Sequence, residues 1–366
     1  MTTLLTFLIV LGLLVFVHEL GHFVAARILG VGVKEFGFGF PPRLWGIRRK
    51  ETTYSINWIP LGGFVRLHGE DGEATDPQSF SMQKAWKRTI ILVAGVLMNV
   101  VLAIAIFAVG FSLGFPTDIT DGVPAGARAR DPKVQIVEVQ DGSAAVAAGL
   151  QVGDALVRVN GAEIVTVTDA QAAARADGER AVTVVYTRGQ EERTTSATLQ
   201  KLETTGQPGL GVSLAQTAYV SYHPLRALWE GIAAGGRSLW YILQAFGQFL
   251  GNLIIHQSAG ADVAGPVGIA VLTGQVAKLG FTYLLQFVAL LSLNLAIINI
   301  LPIPALDGGR LLFVIIEKLR GKPLTQKLES KIHGTSFAIL IGLIALVTLR
   351  DVFKLDAVQH LWERLF

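Results

Sequence analysis

The stretch that most constrains this chain is residues 3–29, TLLTFLIVLGLLVFVHELGHFVAARIL. It is long enough to cross a bilayer as one helix, because about 20 apolar residues span the hydrocarbon core. The ionisable side chains of His18, Glu19 and His22 lie inside it, ahead of Arg27 near its end. Ionisable groups at such depth are costly and mark functional sites by default. The stretch therefore predicts both a membrane protein and a site within the membrane.

The spacing of these three residues indicates a metal. On a helix, His18 and His22 lie one turn apart on the same face, where two imidazoles can bind one zinc ion, and Glu19 lies beside them as a general base. One alternative is that all three make only polar contacts with neighbouring helices. A secretory signal peptide is a second alternative, but no Lys or Arg precedes Arg27 and polar groups interrupt the apolar run.

Composition narrows the class of protein. The 366 residues are 51% hydrophobic and 16% charged, with a mean hydropathy of +0.50, which is typical of an integral membrane protein with one soluble portion. The net charge of +3 is too small to indicate nucleic acid as a partner. Because the chain has no cysteine, a bound metal would have only nitrogen and oxygen ligands.

The distribution of basic residues predicts how the chain crosses the bilayer. Four apolar runs are long enough to span it, at residues 3–29, 90–114, 281–301 and 333–349. Ten basic residues fall in segment 27–89 and six in segment 302–332. With four spans, the positive-inside rule puts both segments in the cytoplasm and the long soluble portion outside. Asn99 is the one strongly polar side chain of the second run, and whether it faces the site is left open.

A further apolar segment, residues 239–255, is predicted to lie at the membrane interface. Gln244, Gln248 and Asn252 recur every four residues and form a polar stripe on it. If this segment crossed the bilayer, the two basic segments would lie on opposite sides. We therefore expect an amphipathic interfacial helix rather than a fifth span.

Residues 30–89 predict a small β-sheet. VKEFGFGFPPRLWG and TTYSINWIPLGGFVRLHGED alternate apolar and polar residues between glycines and prolines, which indicates short strands and turns. They are unusually apolar for a solvent loop, so we expect a sheet that re-enters the membrane, shielded by protein. Gly37 and Gly39 are expected to leave a strand edge open to another backbone, although plain turn glycines are an alternative.

The soluble portion predicts an inserted α+β domain at residues 132–202, after a linker at 115–131. Its elements run strand, helix (GSAAVAAGL), strand (ALVRVNG), helix (TVTDAQAAARAD) and two strands. This order resembles a PDZ domain of the bacterial, circularly permuted type, in which a groove binds an extended chain end as an added strand. A spacer domain is the alternative. The predicted domains are 1–114, 115–131, 132–202, 203–265 and 266–366.

Asp307 is the expected third metal ligand. The first and third spans both run inward, so the cytoplasmic half of the first and the cytoplasmic end of the third can meet. A catalytic zinc site takes three protein ligands, and a carboxylate is what the two histidines lack. Pro302 and Pro304 end the helix just before Asp307. The alternative is an ordinary helix end followed by an Asp-Gly turn.

Taken together, HELGH, NILPIPALDGG and the inserted PDZ-like domain resemble the site-2 protease family of intramembrane zinc metalloproteases, in its bacterial regulator of sigma-E protease branch. The resemblance implies His18, His22 and Asp307 as Zn²⁺ ligands and Glu19 as catalytic base. It implies substrate contacts by Asn299, Pro302 and the sheet residues Gly37 and Gly39. It also matches GPVGI at 265–269 to a family loop, and Val96 replaces a proline that the family often has in the second span.

The resemblance implies hydrolysis of a peptide bond in or near the membrane segment of single-span proteins, such as anti-sigma factors or signal-peptide remnants. The enzyme would lie in the bacterial inner membrane, with its active site toward the cytoplasm and the PDZ-like domain outside as a gate. Two other classes stay open: an adaptor with a structural zinc, for which no fourth ligand is found at comparable depth, and a metal transporter.

Overall fold

The computed structural model describes residues 2–70, 76–178, 180–189, 191–202, 206–255, 264–322 and 325–353. The helices in these ranges are α1 (Thr2–Ile28), α2 (Ala85–Leu113), α3 (Ala144–Ala147), α4 (Val167–Asp177), α5 (Pro224–Ile255), α6 (Pro266–Leu279), α7 (Phe281–Ile300), α8 (Asp307–Arg320) and α9 (Gln326–Phe353). The strands are β1 (Val33–Arg49), β2 (Thr52–Leu67), β3 (Phe115–Asp118), β4 (Arg128–Val139), β5 (Ala155–Val159), β6 (Ala162–Glu163), β7 (Ala181–Arg188), β8 (Glu191–Thr198), β9 (Gln200–Lys201), β10 (Pro208–Gly209) and β11 (Val212–Ser221).

Four helices in the described part of the chain are long and apolar enough to cross a membrane: α1, α2, α7 and the Leu328–Phe353 portion of α9. The prediction of about four spans is therefore confirmed. A helix suits such apolar sequences because all its backbone groups are hydrogen-bonded within one segment. The segment predicted as an interfacial helix at 239–255 belongs to α5, which begins earlier, at Pro224, and is not among these four.

The chain divides into two compact units. The membrane unit comprises Met1–Ile106, Ile232–Gln275 and Phe287–Phe366, and the sheet unit comprises Phe107–Gly231 and Val276–Gln286. In the membrane unit, a buried apolar cluster joins α1, the β1–β2 hairpin, α2 and α8. Its fully buried members include Ala26 and Ile91. This cluster fixes the hairpin against the C-terminal part of α1.

The β1–β2 hairpin is a small sheet of four paired segments. Residues 43–49 pair with 52–57, and residues 35–38 pair with 53–56 on one side and with 63–66 on the other. Gly37 therefore has strand partners on both sides, Ser55 and Phe64. The expectation that these glycines leave an open strand edge is wrong, because local sequence does not reveal that β2 folds around β1 and covers both its sides.

Gly39 must be glycine because of its backbone conformation. Its φ of +80° lies in the left-handed region, and a Cβ there would lie 2.8 Å from the carbonyl oxygen of Ile59. Its own carbonyl oxygen accepts a hydrogen bond from the Asn57 side chain at 3.0 Å. Gly39 thus permits an irregular, closely packed point in the sheet.

In the sheet unit, seven strands form one sheet in the order β3-β11-β4-β5-β7-β8, with β6 paired to β5, and β9 and β10 form a separate pair. Val134, Ile136 and Val184 are fully buried in its core, which α4 covers. The predicted α+β character is therefore present. Two hydrogen bonds of 2.7 Å from Arg188 hold the buried carboxylate of Asp154, and these bonds raise the pKa of Arg188.

The bounds of this domain differ from the prediction. Strand β3 and the start of β4 lie within the predicted linker at 115–131, and β11 lies beyond the predicted boundary at residue 202. Strand β11 pairs with both β3 and β4. These pairings join residues 73 to 105 positions apart, so the glycine-rich and proline-rich composition of 115–131 does not reveal them. Helix α3 is also shorter than the predicted GSAAVAAGL helix.

The GPVGI segment was expected to be a loop, but Pro266 begins α6. Proline is favoured in the first turn of a helix, where its missing N–H removes no helical bond. The carboxylate of Asp351 in α9 accepts a hydrogen bond from the backbone N–H of Gly268 at 2.8 Å. Asp351 thus caps α6 from another helix.

Candidate metal centre

His18, His22 and Asp307 lie together in the membrane unit. His18 Nε2 is 2.8 Å and His22 Nε2 is 3.2 Å from Asp307 Oδ2, and the two Nε2 atoms are 3.2 Å apart. Both histidines are buried, and the Asp307 side chain is 20% exposed. Each of the three therefore offers one ligand atom to a common point.

Close backbone packing positions the three side chains. A Cβ on Gly95 of α2 would lie 2.3 Å from His22 Nε2, so only glycine leaves space there for the imidazole. A Cβ on Gly308 would lie 2.2 Å from the carbonyl oxygen of Ile300, so only glycine allows the tight turn from α7 into α8. This turn carries Asp307 back to the histidines of α1.

The donor set fits a zinc ion. In a tetrahedral site with bonds of about 2.0–2.1 Å, neighbouring ligand atoms lie about 3.3 Å apart, close to the three distances found here. His22 Nδ1 donates to the carbonyl oxygen of Ile91 at 2.8 Å, which leaves the lone pair on Nε2. Burial raises the pKa of Asp307, the two nearby histidines lower it, and the net pKa lies well below its ordinary range. The carboxylate is therefore ionised, as a metal ligand must be.

Glu19 and Asn299 flank this cluster. Glu19 follows His18 on α1, and its Oε2 accepts a hydrogen bond from the backbone N–H of Val65 at 2.9 Å. The Asn299 side-chain nitrogen is 3.4 Å from His18 Nε2. The carboxylate of Glu19 and the amide of Asn299 thus lie beside the three candidate ligands.

The remaining residues that the sequence predicted for substrate are Pro302, Gly37 and Gly39. Pro302 is exposed in the turn between α7 and α8. Gly37 and Gly39 pack within the hairpin sheet, and a Cβ on Gly37 would lie 2.5 Å from the Phe64 ring. We find these glycines in the interior of the sheet rather than along an edge.

Three residues near the cluster were not among the predicted site residues: Gly95, Val65 and Asn99, whose orientation the sequence left open. Gly95 and Asn99 are four residues apart, so they share one face of α2, as His18 and His22 share one face of α1. That shared spacing is a signal which could have found them. Val65 contributes only its backbone N–H, which no side-chain pattern indicates.

Residues 6–343 match the family model described as Peptidase family M50. The chain belongs to this family. Zinc metalloprotease RasP of Geobacillus kaustophilus is 31% identical to this M50 peptidase, and the match covers 96% of this chain and 98% of RasP. A relative in Synechocystis sp., provisionally named a zinc metalloprotease, is 36% identical over 96% of this chain and 94% of its own length. One in Agrobacterium fabrum, also provisionally named a zinc metalloprotease, is 32% identical over 95% of both chains.

Membership in this family confirms the predicted resemblance and the prediction of a peptidase, and the adaptor and transporter alternatives fall away. The predicted cofactor, Zn²⁺, agrees with the names of the relatives. Among solved structures, the PDZ domain of the SdrC-like protein from Listeria monocytogenes is similar over 24% of this M50 peptidase and 92% of its own length. Its identity is 19% and its TM-score is 0.22, a value that supports no conclusion about the fold.

Proposed function

We propose that this M50 peptidase hydrolyses a peptide bond within or beside the membrane segment of a single-span protein, with Zn²⁺ held by His18, His22 and Asp307. The observation that carries this proposal is the convergence of two imidazoles and one carboxylate at 2.8–3.2 Å, with His18 and His22 on a helix apolar enough to span a membrane. Ionisable side chains inside a membrane are energetically costly, so a cluster of them indicates a functional site.

In this proposal Glu19 is the general base. A bound zinc ion would polarise the scissile carbonyl and acidify a water molecule. The Glu19 carboxylate takes the proton of the attacking water and delivers it to the leaving amide nitrogen. The Val65 N–H holds the carboxylate in place, and the amide of Asn299 lies where it can donate to a substrate carbonyl.

The edge of the hairpin sheet supports a binding mode for substrate. The backbone N–H groups of Val65 and Leu67 donate to the side chains of Glu19 and Glu70 rather than to β1. The edge of segment 63–67 therefore faces Glu19. We infer that substrate adds to this edge as an extended strand, which places its backbone beside the base. Strand pairing would also offset the loss of helical hydrogen bonds when a substrate helix unwinds.

The far side of the hairpin supports re-entry into the membrane. Its exposed apolar side chains include Leu44, Trp45, Ile47 and Trp58, which are 55–65% exposed. Apolar patches of this kind mark an interaction surface, and tryptophan is favoured at the membrane interface. The basic residues of segment 27–89 support a cytoplasmic position for this sheet and for the active site.

The sheet unit would then lie outside the cytoplasm and act as a PDZ-like gate. It would exclude substrates with a bulky outer domain, or bind the new carboxyl terminus that trimming creates. Resemblance to the bacterial branch suggests anti-sigma factors and signal-peptide remnants as substrates. A cleavage assay on matched substrates with and without a folded outer domain tests the gate: equal rates for both would contradict it.

Metal removal tests the proposed chemistry. The purified chain in detergent should contain about one zinc ion per chain and cleave a model single-span substrate. Chelation should abolish cleavage, and Zn²⁺ but not Mg²⁺ should restore it, because two imidazoles and one carboxylate suit zinc. Asp307→Ala should lose both the zinc and the activity. Full activity after complete chelation would overturn the proposal.

A further inference from the structure

Asn99 lies at the middle of α2, beside the candidate metal ligands. It is fully buried, and its side-chain amide lies 3.4 Å from His18 Nδ1. Gly95, one turn earlier on the same face of α2, makes the space for His22. One face of α2 therefore contacts both histidines of α1.

The ring of His18 has a requirement that Asn99 can meet. His18 Nε2 faces Asp307 and His22, so this nitrogen must carry a lone pair if it is to bind a metal. A neutral imidazole has one ring proton, which must then be on Nδ1. A buried N–H without an acceptor is costly. The Nδ1 proton of His22 already has such an acceptor, the carbonyl oxygen of Ile91.

The amide of Asn99 can supply the acceptor for His18. Rotation of a carboxamide by 180° exchanges its oxygen and nitrogen, which have nearly the same shape. With the nitrogen toward the ring, Asn99 Oδ1 is buried without a hydrogen-bond partner among the described residues. With the oxygen toward the ring, it accepts the Nδ1 proton of His18. The second orientation gives the Nδ1 proton of His18 an acceptor and pairs the Asn99 oxygen with a donor.

A purely structural role for Asn99 fits less well. Asn294 of α7 and Thr273 of α6 each donate to the carbonyl oxygen four residues earlier in their own helix. Asn99 instead directs its side chain at His18. The contact between α2 and α7 at this level uses the backbone of Asn99, because Ser292 Oγ donates to its carbonyl oxygen at 2.8 Å. The side-chain amide is not needed for that link.

We propose that Asn99 is a positioning residue whose carboxamide oxygen holds the Nδ1 proton of His18 and thereby keeps Nε2 directed at the metal. This role rests on the proposed function of His18 as a zinc ligand. Partners of this kind fix the tautomer and orientation of a ligating histidine, and their loss weakens metal binding by about 10–100-fold. Asn99 therefore affects zinc affinity directly, and it affects cleavage only through zinc binding.

The test is zinc affinity of the purified full-length chain, measured by competition with a coloured chelator. Asn99→Leu keeps the approximate shape but has no acceptor, and should bind zinc about 10–100-fold more weakly. Asn99→Asp keeps an acceptor and should bind zinc at least as tightly as the native chain. Asn294→Leu is the matched control, because it also removes an amide from a membrane helix, here a half-buried one, and it should keep native affinity.

Two reference proteins separate this inference from the proposed function. If the native chain binds no zinc, or if His18→Ala binds zinc as tightly as the native chain, the proposed function fails. If His18→Ala loses zinc but Asn99→Leu keeps native affinity, the role of Asn99 alone is overturned. Thermal melting of the metal-free variants checks folding. If Asn99→Leu does not fold, Asn99→Asp decides: a tenfold loss of zinc affinity in that variant would also overturn the role.

Discussion

The backbone N–H of Val65 donates to Oε2 of Glu19 across 2.9 Å. This hydrogen bond joins the edge of the hairpin sheet to the carboxylate that follows the first candidate ligand. Val65 pairs with Phe36 through the strand ladder, yet this N–H is directed away from β1. Segment 63–67 thus contacts Glu19 as well as β1, and in the proposed function it aligns the carboxylate and lies along the path of an extended substrate.

Val65→Pro tests that role. Proline has no N–H, and it is tolerated where a strand N–H faces away from the sheet, so the hairpin should still fold. Without the hydrogen bond, Glu19 loses its fixed orientation, and cleavage should fall at least tenfold while zinc content stays at the native value. The rate is measured on a model single-span substrate in detergent.

Val65→Thr is the matched control, because it keeps the N–H and the branched shape. It should cleave within a few-fold of the native rate. Native cleavage by Val65→Pro would show that the Val65 hydrogen bond to Glu19 has no role in the reaction.

Gly95→Ala should damage the metal centre. The added Cβ would lie 2.3 Å from His22 Nε2 and 2.9 Å from His18 Cε1, so both rings must move. We expect zinc affinity to fall at least tenfold and cleavage to fall with it. Gly342→Ala in α9 is the control, since no described residue beyond its own stretch of helix lies within 4 Å of the added carbon and alanine is the better helix former. Equal zinc affinity in the two variants would contradict the crowding at Gly95.

Asp351 should matter for stability rather than for chemistry. Asp351→Leu removes the acceptor that caps α6, so the N–H of Gly268 is left without it, and the free energy of unfolding should fall by about 1–2 kcal/mol. Asp351→Asn keeps an acceptor oxygen and should lose less. Thermal melting in detergent measures both. A melting temperature of Asp351→Leu equal to that of the native chain would argue against the cap.

The sequence predicted much of this architecture because a membrane simplifies the problem. Apolar length predicted the four candidate spans. The orientation of these spans, which the basic residues indicate, stays a prediction. The helical spacing of His18 and His22 predicted that both point to one place. Asp307 followed from the need for a third ligand on a segment running in the same direction, and the structure now gives the distances.

Other features depend on pairing and rotation, which local patterns do not contain. The rotation of α2 decides whether Asn99 faces lipid, another helix or His18, and its apolar sequence is compatible with all three. The sheet order of the hairpin decides which segment lies at the edge, and Gly37, which the prediction placed there, has strand partners on both sides. Strand β11 returns to β3 across about 100 residues, so the predicted linker contained strands instead.

The central claim is that this M50 peptidase cleaves membrane segments with Glu19 as its base, and one comparison tests it most directly. Purified native chain and Glu19→Gln are each given the same single-span substrate in detergent, with zinc content measured in parallel. The substitution keeps the shape and the three candidate ligands. We expect equal zinc content, cleavage by the native chain, and a rate at least about 100-fold lower for Glu19→Gln. Equal cleavage by both proteins would contradict the account.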